Sequence, residues 1–248
     1  MKNTVILITG ALAGIGRATA IAFAQEGARV VVSGRREEDG RKLEAALRKL
    51  GVEAEFIRAD VRHEEDVRNL VDQTVERFGR LDVAVNCAGT AAKNGPITEQ
   101  SPESYATTFD TNVLGVLLSL KHELRVMSAQ KSGSIINISS TFGRIGAPGV
   151  ALYVASKHAV EGLTKSAALE GAPFGIRVNV VAPGPIETDF LNRFAGSDER
   201  KATIASGVPL KRLGRPEEIA ETILFVASTR ASYLSGESIA VNGGKSAL

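Results

Sequence analysis

The chain has 248 residues, 44% of them hydrophobic, enough for a large core and too apolar for intrinsic disorder. Its 30 Lys and Arg against 28 Asp and Glu leave a net charge of +2, with no clustered basic face, so a nucleic-acid partner is not expected. The single cysteine, Cys87, excludes an intrachain disulfide and points to a reducing, cytoplasmic home. No apolar run approaches the ~18 residues of a membrane helix, so no membrane partner is expected either.

Short apolar, β-branched runs alternate with amphipathic stretches from end to end. Strands are expected at Thr4–Thr9, Arg29–Ser33, Ala54–Ala59, Leu81–Asn86, Ser134–Ser139, Arg177–Ala182 and Glu237–Val241. Apolar residues on consecutive positions are the pattern of strands buried on both faces. Helices are expected between them. In Glu64–Phe78, Val67, Leu70, Val71, Val75 and Phe78 recur at three- and four-residue steps. Ser101 caps a helix with Pro102 at its first position, and Arg215-Pro216-Glu217-Glu218 opens another. Further helices are read at about Asn112–Gln130 and Ala151–Leu169. Strict βα alternation predicts one α/β domain over 1–248, a Rossmann-type doubly wound parallel sheet of about seven strands in three α/β/α layers. The one irregular stretch, Pro183–Pro209, is read as a loop, with residues 185–209 as a substrate-binding region.

The first strand runs into Gly10-Ala11-Leu12-Ala13-Gly14-Ile15-Gly16 and then a helix from about Arg17. Glycines permit a tight strand-to-helix turn and let main-chain N–H groups approach a pyrophosphate at the helix N-terminus. The second strand ends Gly34-Arg35-Arg36, with no acid for an adenosine 2′-hydroxyl and two guanidiniums suited to a 2′-phosphate. NADP is therefore the expected cofactor, with NAD as the alternative. Tyr153 and Lys157 are four apart, so a helix would place them on one face. An ammonium held about 4 Å from the phenol would lower its pKa by up to about 3 and let it exchange protons near neutrality.

These motifs together resemble the short-chain dehydrogenase/reductase family along essentially the whole chain. The matching residues are Thr9-Gly10-x3-Gly14-Ile15-Gly16, Asp60-Val61, Asn86-Cys87-Ala88-Gly89, Asn112, Ser140, Tyr153-x3-Lys157, Asn179 and Pro183-Gly184-x-Ile186-x-Thr188. Ser140 precedes Tyr153 by 13 residues, the family's spacing, which selects it over Ser139. The resemblance implies an oxidoreductase that moves a hydride between the nicotinamide and a small carbonyl/alcohol substrate. Tyr153 would be the acid/base, and Ser140 would steady the substrate oxygen. Lys157 would lower the phenol pKa and hold the nicotinamide ribose, and Asn112 would anchor a relay water. It further implies adenine contacts from Asp60 and Val61, ribose contacts from Asn86 and Gly89 beside Ala88, and carboxamide contacts from Ile186 and Thr188. Cys87 stands where the family commonly has a second Asn, and Ala13 where many NADP users carry a basic residue.

His63, His122 and His158 lack metal-ligand spacing with Cys87, so no metal is expected. Candidate pocket residues are Thr90, Ala91, Phe142, Val150, Gly184, Phe190 and Phe194, with Lys93 and Arg193 near enough to meet a carboxylate. A sugar, an aliphatic or aromatic ketone and a β-ketoacyl thioester all remain open as substrates. A nucleotide-binding sensor or scaffold without turnover is the competing class. The helix from Asn112 carries more apolar residues than one sheet face covers, so association is expected, and the family resemblance implies a homotetramer.

Overall fold

The computed structural model describes residues 1–92 and 94–247, so Lys93 lies outside the described residues. The strands are β1 (Val5–Thr9), β2 (Arg29–Gly34), β3 (Ala54–Arg58), β4 (Val83–Asn86), β5 (Gly133–Ile138), β6 (Ile176–Pro183) and β7 (Ser238–Val241). The helices are α1 (Gly14–Gln25), α2 (Glu37–Arg48), α3 (Glu64–Phe78), α4 (Pro102–Phe109), α5 (Gly115–Gln130), α6 (Ala151–Gly171), α7 (Asp189–Ala195), α8 (Asp198–Ser206) and α9 (Pro216–Ala227). All seven strands form one parallel sheet in the order β3-β2-β1-β4-β5-β6-β7.

The consecutive apolar residues of the strands serve two separate layers. In β1, Ile6 and Ile8 join Phe23 of α1, Leu43 and Leu47 of α2 and Ile219 and Ile223 of α9. Val5 and Leu7, on the opposite face, join Leu70 and Val71 of α3, Leu120 and Met127 of α5 and Val160 of α6. The strand order reverses between β1 and β4, and the register levels Thr9 with Asn86 and Asn86 with Asn137. The carboxyl ends of the central strands therefore open onto one crevice, the position where nucleotides bind such sheets.

Two stretches differ from their sequence reading. Residues 183–209 are not a plain loop: they contain α7 and α8. Thr188 and Ser197 cap these helices by accepting from Leu191 N–H and Arg200 N–H, both at 3.3 Å, and Gly196 closes α7 at φ +78°. The helix expected to start near Asn112 instead continues from α4 through a π turn, Asp110–Leu114, into α5. Asn112 thus sits inside a helical run.

The layer under β4 and β5 encloses a polar network that the sequence reading did not anticipate. The Asn86 side-chain amide donates to Glu123 Oε2 at 3.0 Å and to Asn137 Oδ1 at 2.9 Å, and Asn137 Nδ2 donates to Thr164 Oγ1 at 2.9 Å. Burial pushes the Glu123 carboxyl up from 4.5 to about 7, and the hydrogen bond from Asn86 only partly opposes it. A raised acid is still protonated in the fold while the unfolded chain ionises, so stability falls as pH rises from about 4.5 to about 7. We predict that Glu123→Gln removes this penalty, about 3 kcal/mol at alkaline pH and almost none near pH 4. Urea unfolding at the two pH values checks it, and an equal stability change at both would refute it.

Candidate active site

The nucleotide end of the crevice is built from β1 and α1. Gly10 (φ +65°) and Gly14 (φ +51°) adopt backbone conformations that side chains disfavour. A Cβ at Gly10 would lie 2.6 Å from Ala88 Cα, and one at Gly16 would lie 2.4 Å from Gly10 O. Helix α1 also differs from its neighbours electrostatically. The first turns of α2 and α3 each carry three carboxylates, whereas that of α1 carries none and has no side-chain cap. Its N–H groups and partial positive charge are left to face the crevice, a fit to a pyrophosphate.

A cavity of about 470 Å³ runs from this turn to the catalytic end. Of the residues expected to bind nucleotide, Gly10, Ala13, Gly14, Ile15, Gly16, Arg36, Gly89, Tyr153, Lys157, Pro183, Gly184, Ile186 and Thr188 line it. Leu12 instead packs on Gly34, where a Cβ would come within 2.7 Å of Leu12 Cδ1. Ala88 covers Gly10, and Val61 fills the space beside Gly115. Arg35 and Arg36 follow the end of β2, where Arg58, aligned with Gly34, donates from Nε to Arg35 O at 3.2 Å. Arg36 also pairs with Asp39.

The side chains of Asp60 and Asn86 are engaged elsewhere. The Asp60 carboxylate accepts from Arg62 Nε at 3.0 Å and Nη2 at 2.6 Å, and this guanidinium holds its pKa at about 2. The Asn86 amide points into the helical layer, toward Glu123 and Asn137, instead of toward the expected ribose. Gly89 is the residue of that motif that reaches the cavity.

At the catalytic end, α6 presents Tyr153 and Lys157 one turn apart. Lys157 is buried and donates from Nζ to Ile138 O at 2.8 Å, while its Nζ lies 5.7 Å from the centre of the Tyr153 ring. Burial lowers the ammonium to about 8, with the neighbouring Cys87 and Glu161 opposing this only in part. The expectation of a depressed phenol is corrected here: burial raises Tyr153 to about 12, and its hydrogen bond with Ser140 opposes this only in part. Spacing placed the two groups on one face, but the ammonium is directed at a main-chain carbonyl and the phenol is enclosed by rings. At neutral pH the phenol therefore carries its proton.

The two adjacent serines are separated by their partners. Ser139 is buried and donates to Lys157 O at 3.3 Å. Ser140 accepts from Phe142 N–H at 3.2 Å and keeps its hydroxyl beside the phenol. Asn112 is fully buried: it accepts from Thr90 N–H at 2.8 Å and donates to Thr90 O at 2.8 Å and Ser156 Oγ at 3.0 Å. Of the expected pocket residues, Phe142, Gly184, Phe190, Phe194 and Arg193 line the cavity, whereas Thr90, Ala91 and Val150 do not. The sequence reading missed Arg58, Glu123 and Ser156. Of these, Glu123 carried a signal, since it is spaced with Leu120 and Met127 on the buried stripe of α5. Among the described residues no group of three His, Cys, Asp or Glu converges as a metal site, and no helix is long and apolar enough to cross a membrane.

Comparison with known proteins agrees with this geometry. A family model described as enoyl-(acyl carrier protein) reductase matches residues 10–246. An A-factor type gamma-butyrolactone 1'-reductase of Streptomyces virginiae is 42% identical, over 98% of this chain and 96% of that protein. A variant of actinorhodin polyketide ketoreductase solved with NADPH superposes with a TM-score of 0.94 at 36% identity, covering 100% of both chains. NAD⁺-bound xylitol dehydrogenase superposes with a TM-score of 0.94 at 33% identity, covering 98% of this chain and 99% of its own. The chain belongs to the short-chain dehydrogenase/reductase family, oxidoreductases that use NAD(P).

Proposed function

We propose that this oxidoreductase interconverts a small carbonyl compound and its alcohol, with Tyr153 as the acid/base. The observation that carries the reading is one cavity joining an uncompensated α1 N-terminus to Tyr153, Ser140 and the buried Lys157. When bound, the nicotinamide supplies the hydride to the carbonyl carbon in reduction and takes it back in oxidation. Tyr153 gives its proton to the carbonyl oxygen, so C=O becomes CH–OH. Ser140 donates to that oxygen as charge develops on it. Lys157, cationic below about pH 8, supplies positive charge beside the phenol and donors for the ribose hydroxyls. Asn112, held by Thr90 and Ser156, anchors the relay water. Gly10 to Gly16, Gly89 and the Pro183–Thr188 segment hold the nucleotide. Asp60 and Val61 border it at the end of β3. The working unit is the whole sheet, with 185–209 covering the substrate.

Tyr153→Phe is expected to lower kcat by about 10²–10⁴ while leaving the nucleotide Kd unchanged. Steady-state rates and titration calorimetry check this. A variant that keeps more than about a tenth of the turnover removes Tyr153 from the mechanism and favours a site without proton transfer.

NADP(H) is the nucleotide we assign, on the charges around the end of β2: Arg35, Arg36 and the neighbouring Arg58, with Asp60 neutralised by Arg62. A Cβ at Gly34 would strike Leu12, so removing charge is a cleaner test there than adding an acid. Arg35→Ala combined with Arg36→Ala should lower the ratio of kcat/KM for NADP(H) over NAD(H) by about tenfold or more. An unmodified enzyme that prefers NAD(H) would overturn the assignment.

We also infer a homotetramer. Val116, Leu118 and Leu120 of α5 are buried, but Leu117 of α5 and Leu114 of the π turn before it are exposed, as is Leu169 of α6. Light scattering at micromolar concentration tests this, and a mass of 26.1 kDa with full activity would exclude the interface.

A further inference from the structure

The phenol of Tyr153 is surrounded by three phenylalanines drawn from two separate segments. Phe142 follows β5 and meets the Tyr153 ring edge-on, with centroids 6.4 Å apart at 90°. Phe190 and Phe194 lie one turn apart on α7, 5.9 Å and 6.2 Å from the Tyr153 ring, and stack on each other at 6.1 Å and 18°. The position of α7 is over-determined. Its cap Thr188 has a methyl 3.0 Å from the site of a Gly14 Cβ, and Phe194 O accepts from Asn94 Nδ2 at 3.1 Å. Three of the chain's nine Phe residues thus pack around the one Tyr153 ring.

Such walls discriminate between the substrate classes left open above. A sugar brings several hydroxyls, each of which needs a partner when buried, and phenyl rings provide none. A straight alkyl chain gains area against phenyl rings but none of the edge and face contacts that a flat ring makes with them. Of the charged groups in the lining, Lys157 beside the Tyr153 ring donates to Ile138 O and Lys245 donates to Gly207 O at 3.0 Å, while Arg36, Asp189 and Arg193 are exposed. The same cavity of about 470 Å³ must also take the nicotinamide, which leaves room for a compact partner only.

We propose that the carbonyl substrate is a compact, uncharged ring ketone, aryl or ring-fused, whose flat face lies among Phe142, Phe190 and Phe194 with its oxygen at Tyr153 and Ser140. This rests on the hydride-transfer reading. The test compares acetophenone with 2-octanone, a ketone of equal carbon number, alongside an acetoacetyl thioester and a keto sugar. Acetophenone is expected to exceed 2-octanone in kcat/KM by about tenfold, the scale of aromatic contacts beyond equal buried area. Phe190→Leu and Phe194→Leu, which keep the apolar volume, should shrink that ratio to about threefold or less. Phe174→Leu, at an exposed phenylalanine after α6, should leave it unchanged.

Saturation-transfer NMR of 1-phenylethanol on the protein loaded with the reduced nucleotide, which cannot accept a hydride, gives a readout without turnover. Contact with the ring protons should be present in the unmodified protein and weakened in the two α7 variants. Turnover with no ring preference, or a preference for the chain, thioester or sugar, overturns the proposal and leaves hydride transfer standing. Ring contact without turnover of any carbonyl sinks the hydride-transfer reading and the substrate proposal with it, leaving a ring-binding pocket only. Absence of both sinks both.

Discussion

Strands β1 and β4 lie side by side with their chains departing in opposite directions, and the site depends on that junction. Their main chains come so close that no side chain fits at Gly10 beneath Ala88. This contact sets the glycine turn, the start of α1 and the height of Gly89 relative to one another. Because the sheet is parallel throughout, the neighbouring ends of β5 and β6 open on the same side. Ser140 and the Pro183–Thr188 segment therefore meet the nucleotide turn without any long excursion of the chain.

The electrostatics of the crevice follow from burial more than from pairing. An enclosed phenol is kept protonated and an enclosed ammonium is weakened, each by loss of water. The two shifts act in opposite senses and leave, at neutral pH, a neutral acid beside a cation, the state that carbonyl reduction uses first. Ser140 and the Ile138 carbonyl refine this state, and the ring cluster that excludes water is also what holds the phenol high.

Much of this was legible from the residues. The strands could be read because double burial leaves a run such as Val5–Ile8 no polar position. Tyr153 and Lys157 could be paired because helical spacing fixes a face. What spacing does not encode is where a long side chain ends. Burial raises the phenol, and Lys157 reaches a carbonyl instead of the phenol hydroxyl, so the shift runs opposite to the expected direction. Asn86 belongs to a motif, yet its amide turns away from the crevice because Glu123 and Asn137 offer it partners there. Helices α7 and α8 were masked by a composition rich in Gly, Pro and polar residues, although Thr188 and Ser197 are recognisable caps in retrospect. A carboxyl such as Glu123 in an apolar helix reads as solvent face unless the buried stripe with Leu120 and Met127 is traced.

The central place of β1 bears on how the chain acquires its structure. Val5 N–H donates to Asp82 Oδ2 across 77 residues, and Gly14 meets Thr188 from the far end of the sheet. Parallel pairing at such separations closes large loops before contacts reward them, which makes folding slow. The glycine turn leaves the ribosome well before Phe190 and Phe194. During synthesis the first strand must wait, its two apolar faces uncovered, until partners from distant stretches arrive.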